Sequence, residues 1–150
     1  WMSRLDCSFS NKKLTAAADL NMQRGRRLKG MDEYTTIQEL KLLVRKFSDE
    51  RDWDQYHNPK DLAIGIATEA GELLQLFRFK SADDIEKMIS SPELLEKVRE
   101  EVADVLIFLL RFCDKNAIDV TSALKEKLVK NAQKYPVEKF KGSNKKYNGP

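Results

Sequence analysis

Two short acidic motifs in this 150-residue chain carry the chemistry it is equipped for: Glu69-Ala70-Gly71-Glu72 and Glu101-Val102-Ala103-Asp104. Each sets two acids at i and i+3, neighbours on a helix surface. On a helical wheel Glu69 falls inside the apolar arc made by Leu62, Ile66, Leu73 and Leu76. Glu101 falls inside the arc made by Leu94, Val98, Val105 and Phe108. Glu72 and Asp104 lie about 60° further round, at the edges of those arcs. A carboxylate on an apolar face is costly unless its charge is compensated, and at 4 Å two of them repel by about 4 kcal/mol even at an effective dielectric of 20. A cation therefore belongs among them. No Lys or Arg falls in either arc near these acids, and an oxygen-only ligand set suits Mg²⁺, with Mn²⁺ as a substitute. The plainer reading makes them solvated flank residues of charge-rich helices, which fits Glu72, Glu100 or Asp104 taken singly. The repeated in-arc placement of Glu69 and Glu101 favours the metal.

Other chemistries lack their residues. His57 is the single histidine, so a Glu-x-x-His di-iron bundle, a zinc site and His-dependent nucleophilic catalysis are excluded. There is no glycine-rich phosphate loop. The net charge of +3 is a sum of unlike parts: residues 1–30 hold seven Lys and Arg against two Asp, and residues 31–150 hold 20 against 22. The longest apolar run, Val105 to Leu110, is far shorter than the roughly 20 residues that span a bilayer, and two cysteines make no disulfide framework. These features point to a cytoplasmic protein without a membrane partner. The basic segment 1–30, with Trp1 ahead of the first Met, reads as an appended or upstream-translated extension with a short helix near Leu14 to Met22. Its rival reading is a nucleic-acid-binding arm.

The elements that must position the acids are all helical. Only six Gly and four Pro punctuate the chain, about half the average share, and strand signals are absent. Thr36 with Glu39 forms a capping box for a first helix through about Asp52, carrying Ile37, Leu40, Val44 and Phe47 at helical spacing. Asn58-Pro59 opens a second helix to about Phe79. A short helix runs from Ser81 to Ile89, and Ser91-Pro92 opens a third long helix to about Asn116. The fourth long helix runs from Asp119 to Tyr135, before Pro136. Residues 31–142 form one domain, and residues 143–150 read as a flexible tail. Ile107 and Leu110 extend the apolar surface of the third long helix, which implies cover by another protomer.

With these residues in view, the chain resembles the MazG-like all-α nucleoside triphosphate pyrophosphohydrolases, and within them the dCTP pyrophosphatase branch. The acid pairs match the E-x-x-E and E-x-x-D metal motif. Glu50-Arg51-Asp52-Trp53-Asp54-Gln55-Tyr56-His57, Pro59-Lys60-Asp61-Leu62 and Lys130-Asn131-Ala132-Gln133-Lys134-Tyr135-Pro136 match its flanking blocks in order. The resemblance implies an antiparallel four-helix bundle completed by homo-oligomerisation, as a homodimer or homotetramer. It implies Mg²⁺-dependent cleavage of a (deoxy)nucleoside triphosphate between the α and β phosphates, yielding monophosphate and pyrophosphate, with dCTP or a related or modified dNTP as substrate.

By the same resemblance Glu69, Glu72, Glu101 and Asp104 are the metal ligands and catalytic acids, and one glutamate also positions or deprotonates the water. Trp53 matches a base-contacting tryptophan, and its plain reading is a helix-end core aromatic. Asn131, Lys134 and Tyr135 match a block that reaches the nucleotide, while Lys80 is either a phosphate contact or a solvated lysine. Phe79 replaces a tryptophan that helps enclose the base, Phe108 stands where a tyrosine is common, and Val44 where a histidine can occur. Each change removes a polar handle, which keeps other pyrimidine or modified deoxynucleotides open as substrates. The reading from another class is a helical interaction module that binds metal or nucleotide without hydrolysing it.

Overall fold

Asn58 and Ser91 each precede a proline, and both start helices as their chemistry dictates. The Asn58 side chain accepts from the Asp61 amide and the Ser91 hydroxyl from the Leu94 amide, bonds that satisfy otherwise orphaned donors and stabilise a helix by roughly 1 kcal/mol each. The computed structural model describes residues 31–147. The chain divides into two units. The first, Trp1–Thr36, contributes a 3₁₀ turn at Met31–Glu33 to the described residues; the helix expected near Leu14 to Met22 lies outside them.

In the second unit, Ile37–Pro150, the regular elements among the described residues are all helical. In order it comprises α1 (Ile37–Asp49), a 3₁₀ turn (Asp54–Tyr56), α2 (Pro59–Phe77), α3 (Ala82–Ser90), α4 (Pro92–Lys115), α5 (Val120–Lys134) and α6 (Val137–Phe140). No strand occurs among the described residues, and no helix there is long and apolar enough to cross a membrane. Ser81 and Asp84 form a reciprocal capping box at the start of α3, and Asp119 caps α5.

The helix ends explain where the expected boundaries shift. α1 stops at Asp49 because Asp52 takes a left-handed conformation, φ 54°. The Trp53 amide then donates to Ser48 O and the Asp52 amide to Asp49 O, a Schellman ending. α4 closes in the same way: Ala117 has φ 51°, its amide donates to Asp114 O, and Ile118 donates to Cys113 O. Glycine holds this conformation without a Cβ penalty of about 1 kcal/mol or more. Ala117→Gly is therefore expected to raise the thermal midpoint by about 2–4 °C, since 1 kcal/mol corresponds to about that in a chain of this length; a calorimetric scan checks it.

The principal contact is α2 against α4, with α1 and α3 also packing on α4. Leu62, Met88, Leu110 and Cys113 are the buried apolar side chains. At Gly65 of α2 an added methyl group would overlap the Phe108 ring of α4. Leu110, expected to extend an oligomer face, is 3% exposed and packs within its own chain, whereas Ile107 is exposed. Every residue from 121 to 130 of α5 is exposed, Leu124 and Leu128 included. Within the chain α1, α2 and α3 thus all pack on α4.

Candidate active site

Because α2 and α4 pair along their lengths, the arc that holds Glu69 meets the arc that holds Glu101. Ligand-capable oxygens of Glu69, Glu72 and Glu101 lie within 4.8 Å of one another. On α2 Glu69 is half-buried and Glu72 exposed, in the order the wheel gives, whereas on α4 the flanking Asp104 is half-buried like Glu101. At 4.8 Å, two ionised carboxylates repel by roughly 3 kcal/mol at an effective dielectric of 20, before solvent screening.

Protonation follows from this crowding. Burial, then the charges of Glu72, Asp104 and Glu101, raise the Glu69 pKa above the ordinary value. Burial, then Glu72, Asp104 and Glu100, raise that of Glu101. Burial, then Glu100 and Glu72, raise that of Asp104. Among the described residues, the charges that act on these three groups are all negative. A crowded, oxygen-only set with no neutralising side chain among the described residues suits a hard divalent cation, so Glu69, Glu72 and Glu101 fit a metal, with Asp104 half-buried beside them. Glu100, read from the wheel as a possible flank residue, adds charge to this cluster.

The other expected site residues sit in three places. Phe108 lies half-buried over Gly65. Phe79 is 90% exposed just beyond the end of α2, with φ 59° and the Arg78 guanidinium 4.6 Å from its ring centroid. A bulky residue in that conformation is strained, and it holds the ring out from the helix end. Lys80 is exposed near Asp84. Trp53, half-buried after α1, packs edge-on against Phe47 with centroids 5.8 Å apart, the apolar contact that commonly accompanies a Schellman ending. Asn131 is half-buried. Tyr135 packs edge-on against Phe140 and Tyr147, and Lys134 Nζ lies 5.3 Å from the Tyr147 centroid. The structure thus brings Glu69, Glu72 and Glu101 together, leaves Asp104 outside that close group but near enough for its charge to act on Glu69 and Glu101, and sets Lys134 and Tyr135 against the C-terminal segment.

Sequence reasoning missed a second polar cluster. Arg111, 3% exposed, binds Asp114, Asp54 and His57, and Lys115 and Arg45 complete the network. The one local signal was that Arg111 and Asp114, oppositely charged and three residues apart, interrupt the most apolar stretch of the chain.

The same region is matched by known proteins. The model of the MazG-like family matches residues 64–149, which hold both acid pairs and the C-terminal block. The chain belongs to the MazG-like family. It is 35% identical over 112 residues to dCTP pyrophosphatase 1 of Mus musculus and 32% identical over 112 residues to that of Homo sapiens; each match spans 75% of this chain and 66% of the relative. A crystal structure of a pyrophosphatase from Archaeoglobus fulgidus is 40% identical, with a TM-score of 0.63 over 69% of this chain and 94% of that one. Family membership agrees with the all-helical fold, and the archaeal structure shares the arrangement over most of its own length.

Proposed function

We propose that this MazG-like chain is a nucleotide pyrophosphohydrolase that cleaves a deoxynucleoside triphosphate, dCTP or a related or modified pyrimidine dNTP, to the monophosphate and pyrophosphate. The observation that carries the reading is the convergence of Glu69, Glu72 and Glu101, with Asp104 beside them, where the charges acting on them from the described residues are all acidic. Glu69, Glu72, Glu101 and Asp104 would hold Mg²⁺, which when bound supplies charge neutralisation for the triphosphate and acidifies water. The chain's own part is to present carboxylates already assembled, with one glutamate accepting a hydrogen from the attacking water. The names of the dCTP pyrophosphatase 1 relatives and of the archaeal pyrophosphatase support this reaction class.

Substrate choice rests on apolar groups. Phe79 and Trp53 are surfaces for stacking a base, and Asn131, Lys134 and Tyr135 are the contacts expected from the C-terminal block. Residues 120–150 carry eight Lys against two acids, whereas residues 31–119 carry 12 Lys and Arg against 20 acids. The acids that collect a metal and the lysines suited to phosphate thus lie on different segments. Exposed Leu42, Leu43, Ile64, Leu74, Leu124 and Leu128 support assembly into a homodimer or homotetramer that covers them. The free, buried thiol of Cys113 suits a cytoplasmic setting.

The test is a panel of dNTPs incubated with purified protein and Mg²⁺, the products being resolved. Monophosphate and pyrophosphate are expected. Orthophosphate with a diphosphate overturns the site of cleavage, and nucleotide binding in a parallel titration without turnover assigns the chain to the non-hydrolysing class. Light scattering checks the assembly, where a monomer at micromolar concentration refutes the dimer or tetramer.

A further inference from the structure

The most deeply buried charge among the described residues lies outside the acid cluster. Arg111 projects from the C-terminal half of α4 and divides its guanidinium among three partners. Its Nη1 donates to Asp114 Oδ2 at 2.8 Å, its Nη2 to Asp54, and its Nε to His57 Nδ1 at 3.3 Å. Lys115 Nζ donates to both Asp54 oxygens, at 2.8 and 2.9 Å, and Arg45 of α1 grips Asp114. His57 has to be neutral to accept from Arg111, and burial followed by the Arg111 charge lowers its pKa. The network lines an open cavity with charges of both signs already paired, so little is left over for a ligand.

What the network holds is the segment on either side of the 3₁₀ turn. Asp54 and His57 are its two anchors, and Trp53 immediately precedes Asp54. On its other side Trp53 is fixed by the hydrogen bond its backbone N–H donates to Ser48 O and by the Phe47 ring. The residues between the anchors, Gln55 and Tyr56, are exposed, so no apolar packing fixes the turn between them. Burying the Arg111 and Asp114 charges is a costly way to join helices that apolar side chains could join as well, whereas Asp54, Lys115 and Arg45 reach them from the surface. The network is an effective way to aim a surface turn, because charge-assisted hydrogen bonds are directional.

We propose that Arg111 and Asp54 are positioning residues that hold Trp53 in place for the base of a bound nucleotide, setting affinity and base preference without touching substrate. The inference rests on the nucleotide reading above.

The experiment uses the full chain with Trp1→Phe, which leaves Trp53 as the sole tryptophan, and compares it with Asp54→Asn and Asp54→Glu in the same background. In Asp54→Asn, acrylamide quenching of Trp53 is expected to rise. KM for the preferred nucleotide rises about five- to tenfold with kcat within about twofold, the signature of lost uniform binding. Inhibition by inorganic tripolyphosphate, a probe without a base, stays unchanged, and Asp54→Glu restores part of the affinity. A general structural defect weakens nucleotide and tripolyphosphate alike, and that result overturns the proposal. So does unchanged Trp53 quenching in a variant whose circular dichroism matches the parent. If Asp54→Asn does not fold, Arg111→Lys, which keeps the charge and loses the fork of donors, carries the same comparison. If the parent hydrolyses no triphosphate, the hydrolytic reading falls, and the quenching comparison still decides whether the network positions Trp53.

Discussion

Glu69→Gln is expected to lower turnover by on the order of 10²-fold or more, the range lost when a group that activates water is removed, while making the metal-free protein more stable. Both effects have one cause. Glu69 stands half-buried among acids, and its pKa is raised first by burial and then by Glu72, Asp104 and Glu101. A carboxyl group whose folded pKa exceeds its unfolded value of about 4 stabilises the fold at low pH. That contribution is lost as pH rises from the unfolded value through the raised folded one. Above the raised folded value the loss is complete, and glutamine, which never ionises, escapes it.

The difference in thermal midpoint between Glu69→Gln and the parent, measured with chelator present, should therefore be small near pH 4 and grow in favour of the variant toward neutrality. Added Mg²⁺ reverses the ranking. A ligand that binds only the folded state stabilises it by about 2.7 kcal/mol at 100 times its dissociation constant, and the variant has lost part of the site. Circular dichroism and melting with and without Mg²⁺, beside the turnover assay, check each element. Full activity, or an Mg²⁺-dependent rise equal to the parent's, refutes the assignment of Glu69.

The acid cluster was legible because it depends on two local facts, the helical period and the starts of two helices. Asn58-Pro59 and Ser91-Pro92 mark where α2 and α4 begin. Once the period is fixed, Glu69 and Glu101 fall within the apolar arcs regardless of tertiary detail. The residues that hold Trp53 were not legible in the same way. Arg111 and Asp54 are 57 positions apart, and no periodicity or capping rule links two charges at that distance in the chain. Nor does propensity announce that Asp52 and Phe79 take left-handed conformations, which end α1 and α2 short of the expected Asp52 and Phe79. α5 marks a different limit. Leu124 and Leu128, four residues apart on it, are exposed, and helical spacing carries no information about what an apolar pair packs against.

Gly65→Ala is expected to damage both fold and activity, and it tests whether helix spacing sets the site. The added methyl group would overlap Phe108, so the ring must turn away or α2 and α4 must separate, at a cost of typically 1–3 kcal/mol for overpacking. Gly65 lies four residues before Glu69, and Phe108 four residues after Asp104, so each partner of the contact sits about one helical turn from an acid. A helix separation forced there spreads the carboxylates that otherwise meet within 4.8 Å. A displacement of about 1 Å can cost on the order of 10²-fold in rate. Midpoint and turnover should therefore fall together in Gly65→Ala. Phe108→Leu, which removes the opposing ring edge, should recover part of both when combined with it, because residues in direct contact are energetically coupled. Simple additivity of the two substitutions, measured by melting and by turnover in a double-mutant cycle, would show that the Gly65–Phe108 contact does not govern the spacing of the acids.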